Sequence, residues 1–157
     1  MNLYPLIKTL HVVSSVLLVG TGFGSAFYLF FANCSGSLEA QAVVGRLVKR
    51  ADFWFTTPAV IVQPISGFWM ANEAGWPLST PWLLMGFALY LVAGACWLPV
   101  VWLQIRMSAI ADESLRDGRP LSAVYWRYAK LWERLGYPAF AAMLAVFYLM
   151  VAKPALW

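Results

Sequence analysis

The chain contains four long apolar stretches without Asp, Glu, Lys or Arg, at 9–38, 53–72, 74–105 and 135–152. Each of them can supply the roughly 20 apolar residues that a membrane-spanning helix needs. No stretch alternates apolar and polar residues as a barrel strand does, so helices are the expected way to satisfy the backbone in lipid. The pattern predicts an all-α protein with a single integral membrane domain over residues 1–157. This domain is a transmembrane four-helix bundle with spans at about 4–32, 53–72, 81–105 and 135–153.

Composition supports a membrane environment. Apolar residues make up 62% of the chain and charged residues 11%, and the mean hydropathy is +0.69. Because a soluble domain of this length rarely has such values, the composition argues against a soluble enzyme or a soluble binding module.

The basic residues predict an orientation. Nine of the eleven lysines and arginines lie in or beside the first and third loops: Arg46, Lys49, Arg50, Arg106, Arg116, Arg119, Arg127, Lys130 and Arg134. The positive-inside rule then places loops 1 and 3 in the cytoplasm and both termini outside. The net charge of +4 reflects this topology, so the expected partner is the lipid bilayer and no nucleic acid is expected.

The second span carries two prolines and is bracketed by acids. Pro58 and Pro64 should bend it and free the carbonyls of Trp54 and Val60. Asp52 and Glu73 flank the span, and no carboxylate lies within any predicted span. Since ion-coupled transporters place ionisable groups at mid-membrane, the sequence argues against a pump or an antiporter.

His11 is the only histidine and lies in the first span, about 10 Å from its outer end. An ionisable, metal-capable side chain at such a place is by default a functional candidate. An imidazole can bind haem iron through one nitrogen while the other nitrogen is held by a hydroxyl or a carbonyl. Lys8, one turn outward on the same face, is placed to meet a haem propionate. The alternative is a structural histidine that is hydrogen-bonded within the bundle.

Three segments resemble a known family. They are the run Leu6–His11, the stretch Arg50–Gly67 with Thr57-Pro58-Ala59 inside it, and the ending Val151–Pro154. These segments look like the HemJ-type protoporphyrinogen oxidases. They also resemble the related CopD-like membrane proteins, which include a bacterial group of four-helix proteins of unknown function.

The resemblance implies a cofactor. At one position, however, the chain departs from the family. His11 matches the first-helix histidine of the HemJ family, whose members bind haem b. The family also has a lysine on the third helix, and Gly86 stands at that position here. If the chain is an enzyme, the resemblance implies a haem-dependent membrane oxidoreductase, although Gly86 argues against protoporphyrinogen oxidation. Met85 or Met70 is a candidate second ligand to iron, with packing as the alternative role. Five-coordinate haem on His11 alone is equally compatible with the sequence.

Three functions remain open from the sequence. The first is binding of haem b, with His11 as the metal ligand and Lys8 and Met85 as further cofactor contacts, in a redox or haem-related role. The second is copper handling as in CopD-like proteins, which the scattered methionines support less well. The third is a non-catalytic membrane subunit or scaffold. A homodimer or a membrane redox partner is compatible with each of them.

Overall fold

A computed structural model describes residues 3–156, and in that part of the chain every regular element is helical. The elements are α1 (Tyr4–Cys34), α2 (Leu38–Ala51), a π-helical turn (Asp52–Thr56), α3 (Thr57–Glu73), α4 (Pro81–Asp117) and α5 (Ala123–Ala152). The all-α prediction is confirmed for the described residues.

Three helices are long and apolar enough to cross a membrane, namely α1, α4 and α5. The remaining predicted span, 53–72, coincides with the π-helical turn and the 17 residues of α3. Two helices extend beyond their predicted spans: α4 continues to Asp117, and α5 already begins at Ala123. Charged residues marked the predicted end of a span, but they do not end a helix that still has a buried face.

The helix ends follow from local sequence. The Ser37 hydroxyl accepts a hydrogen bond from the Ala40 N–H at 3.2 Å and begins α2. At the start of α5, Ser122 accepts from the Tyr125 N–H at 3.4 Å. Gly118 has a φ of 65° and ends α4 in the left-handed conformation that glycine adopts readily.

The helices pack as two pairs that meet at one end of the molecule. The closest associations are α4 with α5, α1 with α3, and α2 with α4. The main buried core is built by α2, the second half of α4 and the start of α5, with Leu29 of α1 added. Arg46 of α2 also contacts Asp112 of α4 there, with 2.5 Å between Nη1 and Oδ1. This packed end is the one that carries loops 1 and 3.

Large apolar side chains are exposed along the long helices. Leu6 is 65% exposed, Val16 64%, Leu98 66% and Tyr148 65%. A soluble monomer rarely exposes apolar surface on this scale. The outer surface is therefore suited to contact with lipid.

Candidate functional site

His11 is held by α3. Its Nδ1 lies 2.8 Å from the Ser66 hydroxyl oxygen, and that hydroxyl lies 2.5 Å from the Val62 carbonyl oxygen. The Ser66 hydroxyl donates its single proton to the Val62 carbonyl, so in the Nδ1–H tautomer of His11 the ring N–H donates to Ser66. The proton on Nδ1 leaves the lone pair of Nε2 available to a ligand or a metal.

The backbone beside His11 is fixed by a second set of hydrogen bonds. Gln63 Nε2 donates to the His11 carbonyl at 2.7 Å and to the Ser14 hydroxyl at 2.7 Å. The Ser14 hydroxyl donates to the same carbonyl at 3.0 Å. The sequence did not predict Gln63 and Ser66 as partners. The sequence does contain a signal for them, because two polar residues three positions apart in an apolar span lie on one face of a helix.

Gly67 gives the imidazole its space. A Cβ atom at this position would lie 3.3 Å from His11 Cε1, which is closer than most side chains allow. The half-buried ring therefore packs against the backbone of α3. A histidine held in this way keeps one orientation, which is a requirement for an axial ligand.

The other predicted site residues lie apart from this cluster. Lys8 is exposed one turn outward on α1. Met85 lies on α4 with its side chain 39% exposed, and it takes no part in the hydrogen-bonded cluster around His11. A Cβ atom on Gly86 would lie 2.7 Å from Met150 Cε of α5, so Met150 occupies the space that a larger residue would need.

A multidentate metal centre is not formed by the described part of the chain. Among residues 3–156, no three His, Cys, Asp or Glu side chains converge on a point where they could hold a metal ion. Copper handling therefore finds no cluster of His, Cys, Asp and Glu ligands among these residues. His11 remains a candidate for a single axial bond only.

A second candidate site lies between the two helix pairs. It is a cavity of about 390 Å³ that is lined by α1, α4, α5, the π-helical turn and one turn of α3. Aromatic rings dominate its wall, with Phe23, Phe27, Tyr90, Trp97, Trp132 and Phe140 among them. Small-molecule sites have volumes of about 300–1,000 Å³. His11 is not among the residues that line this cavity.

One end of the cavity is polar. Asp52 is 4% exposed, and its Oδ1 accepts a hydrogen bond from the Thr56 hydroxyl at 2.9 Å. Asp52 Oδ2 and Gln104 Oε1 are both buried and have no partner within hydrogen-bond distance among residues 3–156, although the Gln104 side chain is near enough to interact with the Asp52 carboxyl. The sequence placed Asp52 at the edge of a span and did not predict its burial.

Two prolines shape the segment that carries Asp52. Pro58 follows the π-helical turn, in which the Thr57 N–H reaches back to the Asp52 carbonyl. Pro64 removes the hydrogen bond to the Val60 carbonyl, and this oxygen accepts instead from the Tyr90 hydroxyl at 2.6 Å. The predicted release of the Val60 carbonyl therefore produces a contact between α3 and α4.

Comparison with known proteins gives one match. The sequence profile of a family described as predicted integral membrane protein (DUF2269) matches residues 5–154. No curated protein and no solved structure matches the chain. The match carries no evidence for a relationship to HemJ-type or CopD-like proteins, so that resemblance stays a hypothesis.

Proposed function

The chain belongs to the DUF2269 family of predicted integral membrane proteins, and from this premise we propose that it binds haem b through His11 in a bacterial inner membrane. The proposed role is redox or haem-related. A single observation carries the proposal: Nδ1 of the only histidine lies 2.8 Å from the Ser66 hydroxyl, and in the Nδ1–H tautomer Nε2 keeps the lone pair that binds iron.

The residues around His11 suit one axial bond. A ligating histidine almost always donates its second ring N–H to a neighbouring acceptor, as His11 does to Ser66. Lys8 is exposed one turn outward, where its amine can meet a propionate. Met85 lies outside the cluster, so the proposal uses His11 as the sole protein ligand. Haem, when bound, supplies one-electron chemistry, while the chain binds and orients it.

We expect the purified protein to show a Soret band that shifts on reduction and that is lost in His11→Ala. Ser66→Ala should keep the band and weaken haem affinity by about 10–100-fold, because Nδ1 loses its acceptor. Absorption spectra of oxidised and reduced protein in mild detergent, with haemin titration, measure both effects.

Ser15→Ala is the matched control, since the Ser15 hydroxyl bonds only to the Val12 carbonyl of its own helix. Its spectrum and haem affinity should equal those of the wild type. A wild-type protein that is colourless and takes up no added haemin would overturn the proposal and favour a scaffold role.

The proposed topology has four spans, with the segment 52–73 crossing the membrane between α2 and α4. Its support is the clustering of basic residues near loops 1 and 3 and the continuous helical backbone of that segment. Both termini and the loop between α3 and α4 then lie outside.

Labelling of single cysteines tests this topology. In a background with Cys34 and Cys96 replaced by serine, we expect Ser79→Cys to react with an impermeant maleimide on intact cells. Arg119→Cys should react only after permeabilisation. If α3 does not cross while α1 keeps its proposed orientation, Arg119→Cys instead becomes reactive from outside and Ser79→Cys does not.

A further inference from the structure

We propose that the cavity between the two helix pairs binds a lipophilic ammonium ion, with Asp52 as its counter-ion and Gln104 as a second acceptor. This site is separate from His11 and does not depend on haem binding. The inference rests on the charges of the wall, its aromatic rings and two unpaired buried oxygens.

The charged side chains that line the cavity are all acidic. Asp52 and Glu133 line the cavity, and no Lys, Arg or His is among the described residues that line it. In an apolar setting such a charge distribution favours a cation and opposes an anion. Glu133 is already engaged, because its Oε1 accepts from the Tyr137 hydroxyl at 2.7 Å. Asp52 likewise accepts from a hydroxyl, but it is the more deeply buried of the two acids. Lys49 and Arg50 line a neighbouring cavity together with Asp52, and neither forms an ion pair with it among the described residues, so its carboxylate can pair with a ligand.

The unpaired oxygens call for a hydrogen-bond donor. Asp52 Oδ2 and Gln104 Oε1 are acceptors, and buried acceptors are nearly always satisfied in folded proteins. Both side chains line the cavity, although neighbouring atoms now cover the two oxygens. A primary ammonium group brings three N–H donors, whereas a carboxylate or an ether brings none.

The aromatic wall suits the rest of such a ligand. Trp97, Trp132 and Tyr90 are among the residues that line the cavity. Aromatic faces attract cations, and they also bury an apolar body. Together these features favour an amphiphilic amine over a purely apolar lipid chain.

The cavity opens towards the surface that faces lipid. Helices α1 and α5 touch at few points, and Phe23 and Phe140 stack across the gap with 5.3 Å between ring centroids. Phe23 is 56% exposed and Phe140 is 38% exposed. A lipophilic cation that has partitioned into the bilayer can therefore reach the cavity beside these two rings.

Equilibrium binding in nanodiscs tests the proposal with two probes of similar shape, naphthylethylammonium and neutral naphthylethanol. We expect the wild-type protein to bind the ammonium ion saturably and at least about tenfold more tightly than the alcohol. Asp52→Asn should remove this preference and leave alcohol binding unchanged. Asp112→Asn, which alters a carboxylate paired with Arg46 outside the cavity, should leave both affinities unchanged.

Each variant is first compared with the wild type by thermal unfolding and size exclusion. If Asp52→Asn does not fold, Trp97→Leu replaces it, with an expected loss of about threefold or more for the ammonium ion. Equal affinity for the two probes in the wild type would overturn the proposal. So would an ammonium affinity that neither cavity variant changes. The haem spectrum is recorded separately, so failure here is distinguishable from failure at His11.

Discussion

Leu103→Ala is expected to lower the free energy of unfolding by about 2–5 kcal/mol. Leu103 is 1% exposed and belongs to the core where α2, α4 and α5 meet. Truncation removes buried methyl groups and leaves a cavity that rigid neighbouring helices cannot fill. Reversible unfolding in mixed detergent micelles, followed by circular dichroism, measures the change.

Leu98→Ala provides the matched control for this substitution. Leu98 lies on the same helix and is 66% exposed, so the same change of residue removes little packing within the protein. Its effect should stay within about 0.5 kcal/mol. Equal losses in the two variants would mean that the packed end described for α4 is not a core.

Gly45→Leu is expected to lower the free energy of unfolding by about 1–3 kcal/mol through overpacking. A Cβ atom on Gly45 would lie 3.5 Å from the Ser108 Cα atom, which is ordinary contact. The further carbons of leucine would meet the backbone of α4 and force α2 away from it. The same unfolding assay, together with protease sensitivity of loop 1, reports this separation.

Two glycine variants separate packing from helix propensity. Gly45→Ala adds only the tolerated Cβ and should stabilise α2 by up to about 1 kcal/mol. Gly20→Leu adds the larger side chain where a Cβ meets nothing within 4 Å, so it should not destabilise the protein. A Gly45→Leu protein as stable as these two would contradict the packing of α2 on α4.

The sequence predicted those features that depend on local pattern. Charge-free stretches marked three helices that the structure shows as long and apolar, and the spacing of Pro64 identified the released Val60 carbonyl. His11 stood out because a lone ionisable residue in an apolar span is unusual. Each of these signals lies within one or two helical turns of chain.

The partners of these features depend on contacts between distant parts of the chain. Ser66 is 55 residues from His11, so no local pattern connects them. Asp52 was predicted as a boundary residue because its burial depends on other helices, chiefly α1, that pack against the π-helical turn. The basic residues of 38–51 predict a loop, whereas the structure has the helix α2 there, with Gln41, Gly45 and Val48 on its buried face. In that segment the charged residues led to the prediction of a loop, although they lie on the polar face of an amphipathic helix.

The π-helical turn also sets the rotation of the packing face of α2 relative to that of α3. The backbone is helical without interruption from Leu38 to Glu73, so α2 and α3 form one continuous helix that contains this turn. One residue of an α-helix corresponds to a rotation of about 100°. Removing a single residue from the turn would rotate the Gly45 face away from α4 while Ser66 still faced His11. The additional residue in the π-helical turn thus allows α2 to pack on α4 while α3 packs on α1.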